Sequence, residues 1–180
     1  MDLPDLPAIL LERLNQHEQL LNREAFYVLI WGSGESLPRD YGKRLKIRDY
    51  LASLFGSDKV FMSEDERFQP LVERHGLAVA EAMQAGSLDG IVILDTSIGP
   101  HSELLKYGDI IHGKAIVFAE RKDKDMEGFG DIAFHTAKVE RYTSEEYESC
   151  ETIRRKARDF LSGLRFIKAR QKDLQGLFGT

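Results

Sequence analysis

Four short apolar runs divide the first two-thirds of the chain: FYVLIW from Phe26, KVFM from Lys59, DGIVILD from Asp89 and KAIVFA from Lys114. Each is continuous rather than alternating and rich in β-branched or aromatic residues, the pattern of a strand buried on both faces. Between them the hydrophobic period lengthens to that of a helix. Ile47, Tyr50, Leu51 and Leu54 recur at i, i+3, i+4 and i+7, and Gly56 supplies a stop. The stretch from about Phe68 to Ala85 reads as one helix with Val72, Gly76, Val79 and Met83 on a shared face. GPHSELLKYGDIIHG reads as a loop entering a helix, with Pro100 in its first turn and Gly113 at its end. After the fourth run come a charged, glycine-containing loop, RKDKDMEGFGD, and a last, edge-like strand in AFHTAKVERYT.

Two helical segments flank this core. Ile9, Leu10, Leu14, His17 and Leu21 mark an amphipathic helix before the first strand. Ile153, Ala157, Phe160, Leu161, Leu164 and Ile167 mark a long one from Ser144 to about Lys172, opened by an imperfect capping box of Ser144 with Glu146 or Tyr147. The tail GLFGT is expected to fray. Strand and helix alternate throughout, which predicts an α/β fold: an open parallel sheet of about five strands with helices on both faces. The expected organisation is an N-terminal helix over 1–25, a core over 26–143, and a C-terminal helix over 144–180 that packs on the core or on a partner.

Composition narrows the class. The 180 residues carry a net charge of -5, which argues against direct nucleic-acid binding. The lone Cys150 rules out an intrachain disulfide and, as a half-buried helix residue, fits a reducing cytoplasm. No run approaches the ~18 apolar residues of a membrane span. The N-terminus is acidic before its apolar part, the reverse of a signal peptide. His75, His112 and His135 are scattered without a metal-ligand spacing, so neither a metal nor a resident cofactor is expected.

In an open parallel sheet, ligands bind beyond the carboxyl ends of the strands. The first such end, WGSGES, offers Gly32, Ser33 and Gly34, which either let a backbone approach a phosphate or only make the turn. Trp31 beside them either stacks on a base or packs at the end of the sheet. Glu64 and Asp65, with Ser63, end the second strand, where a carboxylate can read a ribose hydroxyl or cap a helix. Asp95 closes the third strand, Gly99 and Pro100 shape its loop, and His101, Ser102 and Glu103 open the next helix. A carboxylate such as Glu103 either stabilises positive charge at a sugar carbon or complements the helix dipole. Asp95 or Asp89 would orient the substrate or tune Glu103, because paired carboxylates push their pKa values apart. Lys43, Arg44, Lys46 and Arg48 read as a solvated helix face, one or two of which can meet a pyrophosphate.

Taken in order, FYVLIWGSGES, KVFMSED, DGIVILDTSIGPHSELLKYG and KAIVFAE resemble the Toll/interleukin-receptor (TIR)-like and nucleoside 2-deoxyribosyltransferase-like group of Rossmannoid, flavodoxin-like domains, over about Phe26 to Glu120. SIGPHSEL is similar to the loop of deoxyribosyltransferase-like effectors of bacterial retron-type anti-phage systems. Leu105 and Lys106 replace the small residues that follow in the deoxyribosyltransferases. The resemblance implies that Glu103 matches the glutamate acting at the ribosyl carbon. It also implies an N-glycosidase-type enzyme on NAD or a nucleotide, which would be substrate rather than cofactor. Its setting would be a cytoplasmic toxin or defence effector restrained by a regulatory protein partner. The alternative is a non-catalytic nucleotide sensor or a TIR-like assembly module. The apolar stripes of the N-terminal and C-terminal helices, outside the minimal fold, predict an intermolecular contact in a homo-oligomer.

Overall fold

The computed structural model describes residues 8–95, 106–120 and 137–178. The apolar runs form five parallel strands: β1 (Val28–Trp31), β2 (Val60–Met62), β3 (Gly90–Asp95), β4 (Ala115–Glu120) and β5 (Lys138–Tyr142). Their order across the sheet is β2-β1-β3-β4-β5. Val28 sits opposite both Val60 and Gly90, and Ile91 opposite Ala115, so β1 and β3 are interior strands with neighbours on both sides. This is the doubly wound order of flavodoxin-like folds, whose direction reverses between β1 and β3.

Because strand side chains alternate, each run feeds two cores. On one face Val28, Ile30, Val92, Leu94, Ile116 and Phe118 pack under helices α2 (Pro38–Phe55) and α7 (Glu151–Phe178). On the other, Leu29, Trp31, Ile91, Ile93 and Val117 pack under α4 (Leu77–Ser87) and the helix over 106–111, α5. Gly90 is what lets α7 lie so close to the sheet, since a Cβ there would overlap the Leu161 side chain. Among the described residues, no helix is long and apolar enough to cross a membrane.

Several boundaries depart from the sequence expectation. The helix expected from Phe68 to Ala85 is a 3-10 turn (Glu66–Phe68), then α3 (Gln69–His75), then α4, broken at Gly76 with φ 80°. Its buried residues are Ala80, Gln84 and Ala85, while Val79 and Met83 face outward. In α2 the inward face runs through Arg44, Ile47, Leu51 and Phe55, and Leu54 is exposed. The C-terminal helix is two: α6 (Ser144–Ser149) and α7, separated by Cys150 in a left-handed conformation. Cys150 is therefore a fully buried junction residue, not a half-buried helical one. The capping box begins one residue earlier than expected, with the Thr143 hydroxyl accepting from the Glu146 N–H and Glu146 returning to the Thr143 N–H. Helix α1 (Ala8–Arg23) meets α7 through His17, whose ring lies edge-on to Phe166, while its first half stands off the core with Ile9, Leu10, Leu11 and Leu14 exposed. The charged loop RKDKDMEGFGD lies outside the described residues.

Candidate functional site

At the carboxyl ends of β1 and β2 a cleft of about 490 Å3 opens, lined by Gly32, Gly34, Glu35, Arg44, Ser63 and Glu64. Its organiser is Arg44. The inward face of α2 carries this side chain to the end of β1, where it is 1% exposed. Nη1 donates to the carbonyls of Gly32 (3.1 Å) and Ser33 (2.9 Å). Nη2 donates to the Ile30 carbonyl (3.0 Å) and to Glu64 Oε2 (2.8 Å). A planar fork of this kind satisfies several acceptors in one fixed geometry, which an ammonium cannot do. Carbonyls at the end of a strand have lost their ladder partners, so the guanidinium supplies the donors that the chain requires there.

Gly32 is fitted to this arrangement. A Cβ at that position would lie 2.7 Å from Arg44 Cδ and 3.3 Å from Leu94 Cβ. The glycine thus makes room for an arginine as well as for a turn. Gly34 is open to the cleft, with nothing within 4 Å of an added Cβ. Leu37 donates back to the Gly34 carbonyl (3.0 Å), closing the turn before α2.

The second strand end supplies hydroxyl and carboxylate. Ser63 Oγ donates to Glu64 Oε2 at 2.9 Å, so this oxygen takes bonds from both Ser63 and Arg44. The Glu64 side chain remains 42% exposed. Glu35 and Glu64 also act on Tyr41: its phenol is pushed above its ordinary pKa first by burial and then by these two carboxylates, with Glu35 hydrogen-bonded to it. Asp65 is turned away from this group. It caps the 3-10 turn through the Arg67 N–H and grips the Arg67 guanidinium at 2.8 and 2.6 Å, and that bond holds its carboxyl below the ordinary range.

The structure thus separates the residues singled out in the sequence. Gly32, Gly34 and Glu64 share the cleft, and Ser33 is buried behind it with its carbonyl on Arg44. Asp65 is a cap. Trp31 is fully buried in the core, its ring centroid 5.9 Å from that of Tyr107, so it presents no face to the cleft. Asp89 lies at the wrong end of the sheet for orienting a substrate beside Asp95. It precedes β3, accepts from the Tyr27 N–H (2.8 Å) and from Lys168 (2.9 Å), and stands about 20 Å along the strand from Asp95. The register carries Asp95 to the carboxyl edge opposite Ala119. Gly99, His101, Ser102 and Glu103 lie outside the described residues.

Two of the cations read as a solvated face are inside the protein. Arg44 is the hub, and Lys43 is 4% exposed, with its ammonium 3.8 Å over the Tyr147 ring and 3.3 Å from Glu148. Glu35 lines the cleft although the sequence reading did not single it out. The signal for Arg44 was its place three and seven residues before Ile47 and Leu51, on the face that the core claims. Among the described residues no three metal-ligating side chains converge. Compared with protein families, curated proteins and solved structures, the chain matches none.

Proposed function

We propose that the protein is an N-glycosidase-type enzyme that cleaves the bond between base and ribose in NAD or a nucleotide. The observation that carries this reading is the position of the Gly32–Glu64 cleft. It lies beyond the carboxyl ends of β1 and β2, on the edge of the sheet at which β3 ends in Asp95, eight residues before Glu103 in the sequence. In this scheme the cleft holds part of the substrate, and Glu103 stabilises the positive charge that develops at the ribosyl carbon as the base departs. An amide at that position cannot do so equally. Losing one preorganised electrostatic contact costs about 3–4 kcal/mol of barrier, so Glu103→Gln is expected to slow base release roughly a hundred- to thousandfold. The test is incubation of wild type and variant with NAD and a panel of nucleotides, followed by chromatography for free base, with a thermal melt to confirm that the variant folds. Equal release by both proteins would remove Glu103 from the chemistry.

The assembly-module reading is favoured by a different observation, the exposed Ile9, Leu10, Leu11 and Leu14 on the first half of α1. In that reading the helix recruits another copy or a partner, and the protein binds a nucleotide without turning it over. Light scattering at micromolar concentration, with and without NAD, separates the two: assembly without base release supports the module.

A further inference from the structure

The side-chain hydrogen-bonding capacity left over in the cleft is one-sided, and it narrows what part of a ligand the cleft accepts. Arg44 is the cation that lines it, yet its four terminal N–H groups are committed to the Ile30, Gly32 and Ser33 carbonyls and to Glu64. Its Nε is buried and has no partner among the described residues. A phosphate placed here would find no free guanidinium edge and would face the carboxylates of Glu35 and Glu64. What remains available among the side chains of the cleft is a set of acceptors. Glu64 Oε2 is occupied by Arg44 and Ser63, but no described bond reaches Oε1, and the side chain is 42% exposed. Ser63 Oγ spends its proton on Glu64, accepts a long bond from Arg44 Nη2 (3.5 Å) and keeps one lone pair that can accept.

Two acceptors on adjacent residues, one of them charged and braced from behind, suit a pair of neighbouring hydroxyl groups. We propose that this cleft takes the vicinal diol of a ribosyl ring, with Glu64 and Ser63 accepting its hydroxyls, and that it selects ribosyl over 2′-deoxyribosyl ligands while the phosphates lie outside it. The proposal rests on the nucleotide reading above and gives it a substrate class. A site whose acceptors are built for a hydroxyl rejects the analogue lacking it, because the acceptor then loses water without gaining a partner. Arg44 is a positioning residue here: it fixes Glu64 and never needs to touch the ligand.

The experiment is calorimetric titration of the full chain with the four ribonucleosides and their 2′-deoxy counterparts, with inorganic phosphate as competitor. For whichever base binds, the ribonucleoside is expected to bind about tenfold or more tightly. That ratio should fall towards one in Glu64→Gln, and by a few fold in Ser63→Ala, which leaves the Arg44–Glu64 pair intact and guards against a folding defect. Millimolar phosphate should not compete. Equal affinities for the two sugars, or competition by phosphate, would overturn the proposal. Ribosyl preference without base release keeps it and rejects the glycosidase reading. Base release with equal affinities does the reverse, and absence of any nucleoside binding rejects this use of the cleft.

Discussion

At each end of the sheet a cation gathers backbone carbonyls and carboxylates, and the two ends differ in what they leave exposed. At the carboxyl end Arg44 binds three carbonyls and Glu64. At the amino end Lys168 of α7 binds the Ala25 carbonyl at 2.8 Å, Asp89 at 2.9 Å and Glu24 at 3.3 Å, and Lys172 reaches Glu24 at 3.0 Å. The guanidinium is a rigid fork, buried to 1%, whose carboxylate partner is still 42% exposed beside a cleft. The ammonium is a point charge, 35% exposed, whose carboxylate partners are only 20% and 9% exposed under α7. Burying the cation and exposing the anion keeps a polar surface in fixed shape. Burying the anions under an exposed cation fastens a helix. The first arrangement belongs at a site and the second at a seam.

Removing each cation tests this contrast. Arg44→Met is expected to cost the most, about 3–5 kcal/mol, because it leaves strand-end carbonyls without donors and Glu64 without its partner. Arg44→Lys should recover part of that stability but not the geometry of Glu64, so ribonucleoside affinity should stay low even where the protein is folded. Chemical denaturation of the three proteins, with titration of the folded ones, measures both effects. Full binding by Arg44→Lys would show that the fork is unnecessary. Lys168→Met should cost less, about 1–2 kcal/mol, since its partners can still turn to Lys172 or water. It should leave ribonucleoside binding unchanged at the opposite end. A variant that lost binding would mean that the two ends are coupled, and the contrast would fail.

The sheet was legible because its strands are continuous apolar runs, and the interior place of β3 follows from the most apolar of them. The helices were legible in existence and less so in boundary. Gly76 and Cys150 both interrupt patterns that continue on either side, and periodicity alone passes over such breaks. At the site, the glycine turn and Glu64 could be read from their position after strands. Arg44 could not, because a run of four cations near a helix start resembles a solvated face, and only its spacing from Ile47 and Leu51 pointed inward. Asp89 and Asp95 bracket one strand, and residues at opposite ends of a strand cannot serve one site. That geometry was available in the sequence and argued against Asp89 as a partner of Asp95.

The smallest expected effect is in the pH response of the amino end. Burial alone would raise the Glu24 pKa, but hydrogen bonds from Lys172 and Lys168 outweigh it and hold the carboxyl below its ordinary value. The native state therefore binds fewer protons at Glu24 than the unfolded chain does, in the window between the lowered and the ordinary pKa. Stability from this group is complete above the ordinary carboxylate range and is lost as pH falls through the lowered value. Lys168 has the opposite sign. Burial would lower its pKa, the Asp89 and Glu24 carboxylates raise it, and its contribution is lost only as pH climbs through that raised value in the alkaline range. Asp65 and Glu140 are also held low by Arg67 and by Lys156 and Lys138, so acid weakens wild type at several points at once. The comparison with Glu24→Gln isolates the seam. At neutral pH the variant should melt a few degrees lower, consistent with a loss of about 1 kcal/mol in a chain of this length. As pH drops through the carboxylate range the two melting curves should converge, because the wild-type carboxyl becomes protonated and resembles the amide. A gap that stays constant down to strong acid would show that the Glu24 charge adds nothing to the hold of α7.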